Sequence, residues 1–72
     1  MSHNAKIAEF ISFCIEMYAR QKHVSGGLVA RLLSQADGYD YLRNGYEVLH
    51  TMGREWLMGD MDELFAKRGL AI

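Results

Sequence analysis

The sequence predicts an all-α protein: a small four-helix domain with a short extended segment before the last helix. Four stretches of the 72 residues repeat apolar residues at the three- and four-residue spacing of amphipathic helices. No long stretch alternates apolar and polar residues in the manner of a half-buried strand. A chain of this length makes a single domain. The prediction therefore rests on four helical periods and on the absence of long alternating stretches.

The first helix, predicted over residues 4–22, is the most apolar part of the chain. Asn4 or Ser2 is its expected N-cap, because both side chains accept hydrogen bonds from free backbone N–H groups. Its apolar arc covers about two thirds of the circumference, more than the stripe of an ordinary surface helix. Phe13 and Met17 lie on one flank of that arc. Other helices should cover two sides of it, and we expect the Phe13–Met17 flank to stay open.

The second helix is predicted over residues 26–36, and it is short. Ser25 precedes it and is its expected N-cap. Leucine, valine and alanine side chains fall on one face, and an arginine, a serine and a glutamine fall on the other. Asp37-Gly38 predicts the turn that follows.

The third helix is predicted over residues 40–52. Gly45 lies on its apolar face, where it is expected to allow close approach of another helix rather than to break this one. Gly53 is expected to end the helix in the left-handed conformation.

The last helix is predicted over residues 61–68, after an extended segment over 54–58. Asp60 and Glu63 resemble a capping box at its start, and Gly69 is expected to end it. The apolar positions of the four helices predict a core that includes Phe10, Ile11, Cys14, Leu32, Leu49 and Phe65.

Charge and cysteine content limit the partners and the location. Eight Lys and Arg against nine Asp and Glu give a net charge of −1, which does not favour binding to nucleic acid or to a membrane surface. No apolar run approaches about 18 residues and no signal peptide is recognisable, so we expect no membrane association. The single cysteine cannot staple a secreted mini-domain, which predicts a cytoplasmic protein.

The chain carries no catalytic signature, so we expect no enzyme, no cofactor and no small-molecule substrate. His3, His23 and His50 are far apart in sequence, and Cys14 has no Cys-x-x-Cys mate, so no metal site is expected. Cys14 lies among apolar residues, where burial raises the pKa of a thiol and makes it inert.

These exclusions leave binding to a protein partner, or formation of a homodimer, as the favoured function. Tyr, Trp and Arg are enriched at interface hot spots, and a flexible Met thioether adapts to varied partners. The predicted contact residues are Phe13, Met17, Tyr46, His50, Arg54 and Trp56. The alternative for three of them is structural: Tyr46 and Trp56 roof the core, and His50 caps a nearby carbonyl.

A helix-turn-helix DNA-binding regulator is the alternative function. The second helix, the turn at Asp37-Gly38 and the third helix would form the motif, with the third as recognition helix. Its outward face would carry Arg43 beside Glu47, which makes a poor surface for phosphates and base edges.

A resemblance to a known family covers nearly the whole chain, from Ile7 to Gly69. It is carried by the segments EFISFCIEMYAR, SGGLVARLL and DYLRNGYEVLHTMGREWLMGDMDELFAKRG, of which GYEVLHTMGREW is the most specific. They resemble a family of very small bacterial proteins of unknown function, although Trp56 stands where that family's pattern leads us to expect Tyr. Members look like companions of neighbouring genes, including ADP-ribosyltransferase-like proteins. The resemblance implies an accessory or antitoxin-like binding role and transfers no catalytic residues.

Overall fold

The computed structural model describes residues 3–70, and within them the chain is helical without any strand. The helices are α1 (His3–Lys22), α2 (Gly26–Gln35), α3 (Gly38–Asn44), α4 (Tyr46–Leu49) and α5 (Arg54–Lys67). The all-α prediction is confirmed. Ser2, one of the two candidate N-caps, lies outside the described residues, and Asn4 lies inside α1 rather than before it.

Helix α1 is the longest helix, and α2, α3 and α5 pack against it. Its 20 residues span about 30 Å at a rise of about 1.5 Å per residue. The longest dimension of the protein is 34 Å. Helices α2, α3 and α5 all contact α1, so the wide apolar arc expected from the sequence is covered by three helices. The buried residues that α1 contributes are Ile7, Phe10, Ile11, Cys14, Met17, Tyr18 and Ala19.

Helices α1 and α5 end in the same type of C-terminal capping turn. After α1, His23 takes the left-handed conformation with φ of 58°, and the N–H of Val24 donates to the carbonyl of Ala19 at 3.0 Å. After α5, Gly69 has φ of 69°, and the N–H of Leu70 donates to the carbonyl of Phe65 at 2.8 Å. Both are Schellman motifs, which satisfy the last helical carbonyls. The predicted stop at Gly69 is confirmed.

Helix α2 begins as predicted. Ser25 is its N-cap, and its side-chain oxygen accepts a hydrogen bond from the N–H of Leu28 at 3.0 Å. After Ala36, Asp37 adopts the left-handed conformation with φ of 56°, and Gly38 begins α3. The predicted turn at Asp37-Gly38 is therefore present.

The continuous helix predicted over 40–52 is wrong. Gly45 separates α3 from α4 with φ of −92° and ψ of 3°, and its N–H donates to the carbonyl of Tyr41. A Cβ atom at Gly45 would lie 2.7 Å from Cδ1 of Leu49, so the missing side chain makes room within the same segment rather than for another helix. Gly53, expected in the left-handed conformation, has φ of −74°.

The extended segment predicted over 54–58 is also wrong, because α5 already begins at Arg54. Gly53 is its extended N-cap residue, and its carbonyl accepts the first helical hydrogen bond from Leu57 at 3.0 Å. Leu57, Met61 and Phe65 follow one another at four-residue intervals and are all buried. Burial of this stripe favours one continuous helix. The capping box expected at Asp60 therefore falls in the middle of α5.

The core forms largely where the helical periodicity places it. Five of the six predicted core residues are buried, namely Phe10, Ile11, Cys14, Leu49 and Phe65. Leu32 is half-buried and packs against the edge of the core. The most enclosed side chains come from α1, α2, α3 and α5, so all four helices share one apolar cluster.

Candidate functional site

One face of α1 carries a surface depression, and four of the residues that line it follow the periodicity of the helix. Glu9, Phe13, Glu16 and Arg20 follow at intervals of four, three and four residues, which places them on one line along the helix. The depression has a volume of about 470 Å³ and is lined by eight residues of α1 and by Arg54 of α5. We call the surface formed by Glu9, Phe13, Glu16, Arg20 and Arg54 the α1 face.

The aromatic ring of Phe13 lies at the centre of the α1 face. It is 42 % exposed, and the guanidinium of Arg54 lies 6.0 Å from the centre of the ring, in cation–π range. Met17 also borders the depression, but it is only 5 % exposed and belongs to the core. The flank is therefore narrower than the sequence predicts: Phe13 is open to solvent and Met17 is not.

The charges of the α1 face have no ionic partners among residues 3–70. None of Glu9, Glu16, Arg20 and Arg54 takes part in the ion pairs that the structure forms over that range. Most other cations are paired, in Lys22–Asp62, Arg43–Asp40, Lys67–Glu63 and Arg68–Asp37. The α1 face thus combines an exposed aromatic ring with two carboxylates and two guanidinium groups that form no ion pair within residues 3–70, although Arg54 contacts the Phe13 ring.

Tyr46 and His50 form a separate aromatic cluster on α4 and the residue that follows it. Their rings stack with centres 4.4 Å apart, and the Tyr46 ring meets the edges of the Phe10 and His3 rings. Nδ1–H of His50 donates to the carbonyl of Tyr46 at 2.6 Å. This matches the structural alternative for both residues: Tyr46 is half-buried against the core, and His50 caps a carbonyl.

Trp56 does not roof the core. It is 45 % exposed on α5, beside a second depression that Glu55, Asp60 and Glu63 also line. Asp60 accepts a hydrogen bond from the hydroxyl of Tyr41. The pKa of Tyr41 is raised to about 12, mainly because the hydroxyl is partly buried and secondly because of this hydrogen bond. The six predicted contact residues therefore occupy three places: Phe13 and Met17 of α1 with Arg54 of α5 at the first depression, Tyr46 with His50, and Trp56 at the second depression.

A polar clamp that the sequence did not reveal joins the end of α1 to α5. The hydroxyl of Tyr18 donates to Oδ1 of Asp62 at 2.6 Å, and Nζ of Lys22 lies 3.1 Å from the same oxygen. Burial and the Asp62 bond raise the pKa of Tyr18, and the bond from Tyr18, followed by Lys22, holds the pKa of Asp62 below its usual value. Tyr18 and Asp62 are 44 residues apart, so no local pattern signals the pair.

Tyr18→Phe removes the clamp's hydroxyl and keeps the ring that packs against Phe65. We expect the free energy of unfolding at pH 7 to fall by about 1 kcal/mol. The pKa of Asp62 is lower in the folded protein than in the unfolded chain, where it is about 4, so the ionised carboxylate stabilises the fold above this pH. This stabilisation is lost as the pH falls through the pKa of Asp62 in the folded protein. Urea unfolding should therefore show a smaller gap between variant and wild type at pH 2 than at pH 7. An equal gap at both values would contradict the clamp.

Cys14 has the burial of a structural residue. Its side chain is fully enclosed, and burial raises the pKa of the thiol to about 11. Thiolate is therefore scarce at neutral pH. Among residues 3–70, no group of three or more His, Cys, Asp or Glu side chains is placed to hold a metal ion.

A thiol-reactive probe is expected to label Cys14 slowly in the native protein and rapidly in denaturant. The reason is that labelling needs both access and thiolate, and the fold withholds both. Absorbance of a released chromophore follows the reaction. Native labelling at the denatured rate would contradict a buried structural role.

Two further features bear on membranes and DNA. Over the described range, no helix combines the length and apolar character needed to cross a membrane. The helix considered for DNA recognition is interrupted at Gly45, leaving seven residues in α3 and four in α4. Its Arg43 already pairs with Asp40 at 2.6 Å.

Comparison with models of known protein families gives a match over most of the chain. A family model described as protein of unknown function (DUF3791) matches residues 9–68. No curated protein and no solved structure matches the chain.

Proposed function

Because the chain belongs to the DUF3791 family of proteins of unknown function, we propose its function from its own surface: a small non-catalytic protein–protein interaction module that binds through the α1 face. The observation that carries the proposal is the exposed Phe13 ring with Arg54 beside it, among charges that have no partner within residues 3–70. Arginine is enriched at interface hot spots, and phenylalanine is among the aromatic residues enriched in the buried centre of protein interfaces.

The α1 face is a better candidate than the surface around Trp56. Two of the carboxylates near Trp56 are already engaged, Asp60 by Tyr41 and Glu63 by Lys67. Binding there would compete with contacts that hold the fold. Glu9, Glu16 and Arg20 of the α1 face lie on a 20-residue helix that packs against three others, and Arg54 lies on α5, one of those three, so the groups form a preorganised surface.

The proposal has a finer form, which is a cytoplasmic homodimer or the minor partner of a larger protein. An accessory or antitoxin-like role beside a neighbouring gene product is supported by the resemblance to small bacterial companion proteins. The DNA-binding alternative has less support, because Arg43 is paired and the net charge of the chain is −1. No observation favours it over protein binding.

Phe13→Ser is expected to weaken partner binding by about thirtyfold, which is the effect of removing a hot spot worth about 2 kcal/mol. Trp56→Ser is the matched control, because the two aromatic side chains are similarly exposed, at 42 % and 45 %. Each tagged variant is expressed in the native host, and its bound proteins are quantified by mass spectrometry. Sedimentation of the purified proteins measures self-association in parallel.

The expected result is loss of binding with Phe13→Ser and retention with Trp56→Ser, while both variants unfold near the wild-type temperature. Bound proteins and self-association that are the same for Phe13→Ser and wild type would contradict the proposal. Loss with Trp56→Ser alone would contradict it as well, because binding would then belong to α5.

A further inference from the structure

We infer that the α1 face binds a second copy of this chain, with the two α1 helices antiparallel across a twofold axis. The inference rests on the proposed function and names its partner. Three properties of the α1 face lead to it: its balance of charge, its spacing along the helix, and its single exposed aromatic ring.

The balance of charge selects a partner like itself. Two carboxylates, Glu9 and Glu16, and two guanidinium groups, Arg20 and Arg54, give the α1 face no net charge. Nucleic acid would need an excess of cations, and a strongly basic or acidic segment would need the opposite single sign. A surface that carries equal numbers of both signs can complement its own copy.

The spacing along α1 fixes the direction of pairing. The intervals from Glu9 to Phe13, Glu16 and Arg20 are four, three and four residues, and they read the same from either end. An antiparallel copy therefore brings Glu9 opposite Arg20 of the second copy, twice in one dimer. A parallel copy would bring Glu9 against Glu9, and like charges repel.

These two charges cannot satisfy each other within one chain. Eleven residues separate Glu9 from Arg20, about 16 Å along the helix at about 1.5 Å per residue. In the antiparallel dimer, Glu9 of each copy lies beside Arg20 of the other copy, so each charge has a partner of opposite sign within reach. The contact is isologous and closes on itself, which produces a dimer and not a filament.

The aromatic ring fills the centre of the same arrangement. In this register Phe13 faces the stem of Glu16 of the second copy, close to the twofold axis. The guanidinium of Arg54, 6.0 Å from the Phe13 ring, offers that Glu16 a positive charge, so the two Glu16 carboxylates near the axis are neutralised. Measured along the helix axis, the two Phe13 residues are then about 4.5 Å apart, which is three residues at about 1.5 Å each. The exposed rings become the apolar centre of the contact, and the Glu9–Arg20 pairs form its polar rim.

Charge reversal tests the register directly. Sedimentation equilibrium measures the dimer dissociation constant for wild type, Glu9→Arg, Arg20→Glu and the double variant. Each single reversal turns both rim pairs repulsive and is expected to weaken the dimer about tenfold or more. The double variant restores opposite charges and is expected to return within about threefold of wild type. Arg31→Glu is a matched reversal at an exposed residue of α2, away from the α1 face, and it should leave the dimer unchanged.

Circular dichroism and thermal unfolding check that each variant is folded, and Glu9→Gln with Arg20→Gln repeats the test with milder changes. A wild type that stays monomeric up to millimolar concentration would overturn the inference, and so would a double variant as weak as the singles. A monomer that still loses host partners on Phe13→Ser would leave the proposed function standing. Host binding and self-association that both ignore Phe13→Ser would remove both.

Discussion

Phe65→Ala is expected to lower the free energy of unfolding by about 3–5 kcal/mol. Phe65 is 1 % exposed, and its ring packs edge-on against the ring of Tyr18, with centres 5.3 Å apart. It therefore joins α5 to α1, and its removal leaves a cavity in the one apolar cluster that the helices share. A domain this small has total stability near the low end of about 5–15 kcal/mol, so the substitution removes most of it and the variant should unfold at low urea concentration.

Urea unfolding followed by circular dichroism measures the Phe65→Ala effect, and Val48→Ala is the control. Val48 is 66 % exposed and lies outside the α1 face, so its truncation should change stability by no more than about 0.5 kcal/mol. Phe65→Leu retains most of the side-chain volume and should cost less than Phe65→Ala, which keeps the measurement informative if the alanine variant does not fold. Equal unfolding midpoints for Phe65→Ala and Val48→Ala would contradict the described core.

Gly38→Ala is expected to destabilise the protein by about 1–3 kcal/mol through overpacking. A Cβ atom at Gly38 would overlap Cδ2 of Leu33 and would lie 3.3 Å from the Cα of the same residue. Leu33 is fully buried and cannot move aside without disturbing the contact of α2 with α3. The absence of a side chain at Gly38 is thus what lets the two helices meet closely.

Gly59→Ala is the matched control for Gly38→Ala. Gly59 lies inside α5, and no described atom outside its own helix backbone lies within 4 Å of the place that an alanine methyl group would take. Alanine should stabilise this helix by about 0.5–1 kcal/mol, because glycine loses more backbone freedom on folding. Thermal unfolding should show opposite shifts for the two variants, and shifts of the same sign would contradict the packing described around Gly38.

Local sequence signals predict the first half of the fold. Helix α1 repeats its apolar residues over five turns, and Ser25 with Asp37-Gly38 marks both ends of α2. These features act within a few residues, so the sequence reveals them. The Schellman turn at His23 is a local feature that the sequence does not reveal, because a histidine rather than a glycine takes the left-handed conformation there.

The second half depends on contacts between distant parts of the chain. The sequence predicts an extended segment over 54–58 because Leu57 is read apart from Met61 and Phe65. In the structure all three side chains are buried on one side of α5, which is a single helix. The Tyr18–Asp62 clamp has the same origin. For the candidate site, the sequence predicts both Phe13 and Arg54 as contact residues, but only packing of α5 against α1 brings Arg54 over the Phe13 ring.

Directed disulfide formation tests antiparallel pairing of the α1 face most directly. Glu9→Cys and Arg20→Cys proteins are mixed and mildly oxidised, and covalent dimers are separated by mass. In a mixed dimer the two new thiols face each other, while Arg20 of one copy and Glu9 of the other keep the second ion pair. Cys14 is fully buried with its pKa raised to about 11, so wild type is the unreactive control. We predict that the mixture forms a covalent heterodimer and that neither variant alone crosslinks at a comparable rate. Equal crosslinking of the mixture and of each variant alone, or none in the mixture, would contradict the account.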